Sequence, residues 1–425
     1  MPKSKEECLA EYDVDEVKYS SELRRDLDAW VMGTEPGKGG VIYCLDEAQA
    51  LPPPEEIKGD AEGAYSKDLT RTGWGYNLLR GVTLDFTSLK PAIDNCRVFK
   101  TPYEINLLRK AINITARAHR SVLEFLRQTH GASPSLPISS LTEADLEAEF
   151  QRTCIAHHAK NQAYEPIFCS GRSCATLHYT YNAAPLVGKQ LALVDAGCEF
   201  DCYASDITRT YPINGIWTPQ ARVIYSIVEK MQQECIAATI PGAPWRKTHL
   251  LAARIAVEGL LDLGILVDKD GRGVNGLVER GTWKAFYPHG LGHMIGLETH
   301  DVEGTPDDDS GYDPHLDSFS STPPPPPPPP PRRRAHLPPP PDQITGLINR
   351  ILKPGMVLTV EPGIYFCEWI IEPYLSDPRH AGFIDASVLA RYWDVGGVRI
   401  EDMVLINEQG NEVLSVGVPR GWEAL

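Results

Sequence analysis

Two stretches decide the reading of this chain: LALVDAG at residues 191–197 and VLTVEPG at residues 357–363. Each is an apolar run of strand character that ends in an acid, one further residue and a glycine. Each is followed by a second strand-like run in which another acid stands near an arginine. After the first comes ASDITRT (204–210), with Asp206; after the second comes GGVRIED (396–402), with Glu401. Four carboxylates therefore come from paired strands in two similar halves. Between the halves lies PHGLGH (288–293), carrying His289 and His293. A single Asp before Gly reads as a turn residue and a single His as a structural one. The ordered set Asp195, Asp206, His293, Glu361, Glu401, at spacings of 11, 87, 68 and 40, reads differently. Four acids gathered at buried strand ends require compensating cations. Oxygen donors with one imidazole suit a pair of hard divalent ions such as Mn, Co, Fe or Zn, and such a pair can activate a water nucleophile.

Outward from these motifs the chain reads as α/β. Thr101 and Pro102 open a long helix whose apolar face carries Ile105, Leu108, Ile112, Ile114, Ala118 and Val122. Further helices are expected from Thr142 to about His158, from Thr218-Pro219 to Pro241-Gly242, and from Leu250 to Leu263. Strands are expected at Leu191–Asp195, Tyr203–Tyr211, Val357–Glu361 and Val398–Ile406. Residues 1–97 hold few elements, with strand candidates at Gly40–Cys44 and Val82–Phe86, and read as a partial N-terminal α/β domain before a catalytic domain at 98–425. His157, His158 and His249 belong to no motif and are expected at the surface.

Composition narrows the classes. With 425 residues, 42% hydrophobic and 23% charged, the chain has ample material for a core. Its net charge of −16 repels nucleic-acid phosphates and anionic lipid, so neither nucleic acid nor membrane is expected as a partner. No leader-like segment and no run of 18 apolar residues is present, and the ten scattered cysteines form no CxxC pair; a reducing, cytoplasmic location is expected. Proline is in excess, 36 residues or about 8%, and thirteen of these lie at Pro323–Pro331 and Pro338–Pro341. They mark residues 303–347 as an insertion without a core pattern. It reads as a disordered surface loop with a polyproline II rod, as a docking site for an SH3-, WW- or profilin-like partner, or as a translated intron.

DAG(x)8DITRT, PHGLGH, LETHD, TVEPGIYF and GGVRIED together resemble the signature series of the pita-bread metallopeptidases, and their wording is similar to the aminopeptidase P and prolidase branch. The resemblance covers about Cys96 to Leu414. It implies a pita-bread catalytic domain with pseudo-twofold halves, preceded by a smaller α/β domain of which this chain carries a shortened form. It implies that Asp195, Asp206, His293, Glu361 and Glu401 hold two divalent ions, most often Mn, with Asp206 and Glu401 bridging. It also implies that His178, His289, His300 and Arg399 line the substrate site, and that the protein forms a homodimer.

In that family the substrates are peptides with proline in the second position, a bond whose tertiary amide lacks the N–H that general peptidases use. Glu361 is expected to shuttle a proton to the proline nitrogen, with His289 and His300 at the tetrahedral oxyanion and His178 and Arg399 at the substrate. Prolidases commonly place an arginine-rich segment before the PGMVLTVEPG strand to hold a dipeptide's carboxylate. Here that stretch is GLINRILKPG, and Arg350 alone stays near it. The apolar spacing of Leu347, Ile348, Ile351 and Leu352 predicts a helical turn with Arg350 exposed. An Xaa-Pro aminopeptidase is therefore the expected activity, with prolidase as the alternative and a metal-free binding protein of the same fold as a lesser one.

Overall fold

The computed structural model describes residues 3–22, 25–26, 29–30, 41–45, 83–129, 137–305 and 350–421. The chain divides into two compact units, residues 1–94 and 95–425. In the first unit a helix α1 (Lys5–Glu11) is opened by Ser4 in a capping box with Glu7, and β1 (Val41–Tyr43) pairs in parallel with β2 (Thr83–Asp85). Helix α2 (Leu89–Val98) spans the division between the units. The insertion's residues 306–347, with its polyproline, and residues 348–349 lie outside the described residues.

The second unit begins with α3 (Pro102–Arg127), whose Thr101 side chain accepts from the Glu104 amide while Glu104 returns the bond. Proline at its first turn has no N–H to leave unsatisfied. Helix α4 (Glu143–Ala156) packs on α3, burying Phe150 against Val122, Leu123 and Leu126. Strand β3 (Asn161–Gln162) leads into β4 (Ile167–Ser170), β5 (Leu191–Asp195), β6 (Cys198–Phe200), β7 (Tyr203–Ala204) and β8 (Thr208–Pro212). The expected run 203–211 is thus broken at Ser205–Ile207, where the chain turns to present Asp206.

The second half follows the same plan. Helices α5 (Pro219–Ala238), α6 (Trp245–Asp262) and α7 (Gly273–Arg280) cover a core joined by β9 (Val357–Val360), β10 (Gly363–Tyr365), β11 (Gly397–Arg399), β12 (Asp402–Asn407) and β13 (Gly410–Val413), with α8 (Glu368–Ser376) and α9 (Ala386–Leu389) between them. The repeat legible in the motifs is also a repeat of register. β5 runs antiparallel to β8 with Asp195 opposite Thr208, and β9 runs antiparallel to β12 with Val360 opposite Asp402. In each half the first acid lies at the end of one strand or one residue past it, and the second lies one or two residues before its partner strand.

Three expectations are corrected. Helix α6 starts at Trp245, five residues before Leu250. It therefore takes in His249, which is buried against Trp283 and Tyr287 rather than on the surface. Residues 350–352 are not helical: Ile351 forms a β-bridge with Pro244. Arg350 is accordingly buried, and its guanidinium donates to the Thr305 carbonyl. His157 and His158 are exposed, as expected, at the end of α4.

Candidate metal centre

Two glycines let the strand ends converge. A Cβ on Gly197 would stand 1.7 Å from the Ser205 carbonyl oxygen, and one on Gly292 would stand 2.0 Å from that of Thr359. No larger residue fits either place. The first contact brings the Asp206 turn against the end of β5. The second lays PHGLGH along β9, where the Thr359 amide donates to His293 and the Glu361 amide to Leu291.

The five predicted ligands meet at this convergence. One donor atom from each of Asp206, His293 and Glu401 lies within 4.8 Å of the others. His293 Nε2 is 3.4 Å from Asp206 Oδ2 and 3.4 Å from Glu361 Oε1. The Tyr164 hydroxyl stands 2.6 Å from Asp195 Oδ1 and 2.7 Å from Asp206 Oδ1, which holds the two aspartates to one point. Thr208 donates to Glu401 Oε2 at 2.7 Å and Thr359 to Glu361 at 3.3 Å. Arg209, fully buried, donates to the Glu401 carbonyl and to Asp402, fixing the backbone on which Glu401 sits.

The electrostatics record the crowding. Burial raises the Glu361 carboxyl to about 7, with Asp206 and Asp195 adding to the shift and His293 and Arg399 opposing it. Burial, then the neighbouring acids, holds Glu401 well above the carboxylate range, and burial raises Asp195. Burial would lower His293, but Asp206 and Glu361 outweigh it and push the imidazole up to about 9. The same pairing with His293 lowers Asp206 in spite of its burial. Glu401 Oε1 is buried with no hydrogen-bond partner. An orphaned carboxylate oxygen among four acids and one imidazole fits a divalent cation, because coordination satisfies it and removes the repulsion in one step.

The other predicted residues border this centre. Arg399 is buried and donates to Asp195, to Thr208 at 3.1 Å and to the Tyr365 hydroxyl at 2.9 Å. His289 is held at both nitrogens: Nδ1 lies 2.7 Å from the Gly290 carbonyl and Nε2 lies 2.9 Å from the Tyr365 hydroxyl. Burial and the Arg399 charge lower its pKa to about 3, so the ring is neutral. Its Nδ1–H then donates to Gly290 and its Nε2 accepts from Tyr365. His300 is exposed and packs edge-on against His293, with ring centroids 4.3 Å apart. His178 is exposed.

Motif reading missed the supporting residues. Thr208 and Tyr365 sit inside the quoted motifs, yet neither carries a charge at neutral pH. Tyr164 lies in AYEPIF, outside every motif, and only the folded distance between β3 and β5 brings it to the aspartates.

Comparison with known proteins agrees with this geometry. Residues 106–408 match the model of metallopeptidase family M24. A probable Xaa-Pro aminopeptidase of Metarhizium acridum is 43% identical over 99% of this chain and 75% of its own length, and one of Metarhizium robertsii is likewise 43% identical over the same shares. Among solved structures, a substrate complex of an Escherichia coli aminopeptidase P variant superposes with a TM-score of 0.68 at 29% identity, covering 98% of this chain and 75% of that one. The Pseudomonas aeruginosa aminopeptidase PepP gives 0.67 at 27% identity with the same coverage.

Proposed function

The chain belongs to metallopeptidase family M24, has the pita-bread fold of aminopeptidase P, and on that premise we propose that it is a metal-dependent Xaa-Pro aminopeptidase. The observation that carries this reading is the convergence of Asp206, His293 and Glu401 within 4.8 Å, with Glu401 Oε1 left without a partner. Asp195, Asp206, His293, Glu361 and Glu401 would hold two divalent ions, for which Mn is our choice. Bound there, the ions would polarise the scissile carbonyl and lower the pKa of water at neutral pH.

The protein's own groups supply the rest. Glu361 is half-buried and holds a 3.3 Å hydrogen bond from Thr359, so it has freedom to take a proton from the attacking water and give it to the departing proline nitrogen. That transfer is needed because the C–N bond breaks to release an amine only when the proline nitrogen takes a proton. Arg399, Tyr365 and His289 form a line of donors and acceptors whose direction is fixed by the guanidinium at one end and the Gly290 carbonyl at the other. It orients the site wall on which the substrate carbonyl lies. His300 and His178, exposed at the rim, are the imidazoles available to the peptide.

The aminopeptidase is favoured over a dipeptidase by the relatives, which are named probable Xaa-Pro aminopeptidases. The test is hydrolysis of Gly-Pro-Pro against Gly-Pro, with and without added Mn. Release of glycine from the tripeptide at least as fast as from the dipeptide, and only with the metal, is expected. Cleavage of the dipeptide alone would establish a prolidase.

A further inference from the structure

His300 stands at the end of an exposed turn, residues 297–300, and such a turn does not hold an imidazole in place unaided. Its attachments are few. Thr299 donates to the Ala163 carbonyl at 3.0 Å, and the Asp301 amide donates to Met294 at 2.9 Å. The Gly296 amide donates to the Glu298 carbonyl at 3.1 Å, and a further anchor is ionic. The Asp301 side chain is buried, and its Oδ2 lies 3.0 Å from Lys100 Nζ, both side chains being 1% exposed. Its Oδ1 accepts from Arg97 at 2.5 Å, and Arg97 also reaches Glu298, on the same turn, at 3.2 Å.

The surroundings are shaped for this pair. A Cβ on Gly296 would stand 2.4 Å from Asp301 Oδ2 and 2.7 Å from Lys100 Cε, so any side chain there would have to shift one of the two charged groups. Lys100 is fixed in turn through its amide, which donates to the Gly355 carbonyl at 2.8 Å. On the far side Asn95 holds Thr305 by two hydrogen bonds, to its amide at 2.7 Å and from Asn95 Nδ2 to its hydroxyl at 2.9 Å.

A buried ion pair is weak as a source of stability, since apolar side chains of similar volume often serve as well; what it supplies is a single geometry. We propose that Lys100, Arg97 and Asp301 are positioning residues that set His300 against the metal centre. The segment before α3, far from every catalytic motif in sequence, thus fixes the placement of a site imidazole. The inference rests on the reading that His300 meets the substrate.

The test is a double-mutant cycle on Gly-Pro-Pro hydrolysis in the manganese-loaded full chain. Lys100→Met with Asp301→Leu replaces the ion pair by apolar side chains. The variant should melt within a few degrees of the parent and bind the same amount of metal, while kcat falls about tenfold with little change in KM. In a His300→Ala background the same replacement should change kcat by less than about twofold, because the imidazole it positions is gone. An equal loss in both backgrounds, or no loss in either, would overturn the positioning role and leave the role of His300 standing. His300→Ala with unchanged turnover would overturn both. If the paired replacement does not fold, Arg97→Gln, at a partly exposed site, should lower kcat about threefold in the parent and not in the His300→Ala background; the same loss in both would count against the proposal.

Discussion

The two halves of the metal centre present the same backbone and hold their acids differently. Asp195 and Asp206 share the Tyr164 hydroxyl, and Arg399 donates to Asp195. Glu361 and Glu401 have no common donor. Each takes one threonine hydroxyl, and Glu401 Oε1 takes none. The pKa directions follow this difference in part: pairing with His293 lowers Asp206, burial raises Asp195, and burial carries Glu401 far upward. The aspartate half is organised by the protein itself; on the proposed reading, the glutamate half would be completed by a cation. A symmetric fold thus yields an asymmetric site, with one side that presents ligands ready-made and one that gains most from the ion.

Removing a ligand from either half should give the largest effect. Asp206→Asn and Glu401→Gln should each lower Gly-Pro-Pro turnover by about two orders of magnitude or more and reduce metal content measured by elemental analysis. Their stabilities after chelation should move in opposite directions. Without ions, Glu401→Gln relieves a crowded, orphaned carboxyl and should raise the melting temperature, while Asp206→Asn removes the partner of His293 and Tyr164 and should lower it. Equal shifts for the two variants would remove the contrast between the halves.

Tyr164→Phe sharpens the contrast at the next level. It deletes the hydroxyl shared by the aspartates and should weaken metal binding by about 10- to 100-fold, read by Mn titration. Thr208→Val, which removes one donor from Glu401, should weaken it less.

The relation of sequence to structure is uneven in the same way. The clustering of the acids was legible because acids at the ends of apolar strands conflict with burial, and such a conflict repeated at matched positions points to a site. The strand pairing followed from that repeat. The supports were not legible. Tyr164 and the Lys100–Asp301 pair owe their roles to distances across the fold, and neutral hydroxyls such as those of Thr208 and Tyr365 leave no mark in a charge pattern. Membership in no motif does not place His249 at the surface: the helix that starts at Trp245 turns its imidazole into the core. Arg350 was misplaced because apolar spacing over Leu347–Leu352 mimics a helix, whereas Ile351 is held by a bridge to Pro244.

Each half also buries a histidine that is not among the proposed ligands, which gives a pH test of intermediate size. His119 on α3 is held at about 3, by burial and by the Arg209 charge, and His249 on α6 at about 4, by burial and by the Lys284 charge. In the unfolded chain both take their protons near pH 6.5. Below that pH the unfolded state binds more protons, so stability is complete above about 6.5 and declines as the pH falls towards 4. Each ring contributes a slope of up to about 1.4 kcal/mol per pH unit. Denaturant melts between pH 7 and pH 5 should show the decline, and His119→Phe or His249→Phe should flatten it; an unchanged slope in both variants would reject this account of the two cores.

The smallest effect is expected where the halves touch at the surface. Arg109 on α3 forms a two-pronged pair with Glu412 on β13, at 2.6 and 2.7 Å, with both side chains well exposed. Glu412→Gln should cost less than about 1 kcal/mol in denaturant melts and leave turnover unchanged.

The measurement that bears most directly on the central claim is a manganese titration of the chelated protein, read by Gly-Pro-Pro turnover with bound metal counted at each step. If both halves are needed to complete one site, chelation abolishes turnover, and activity returns and levels off at two ions per chain. Full turnover by protein shown to contain no metal would contradict the account.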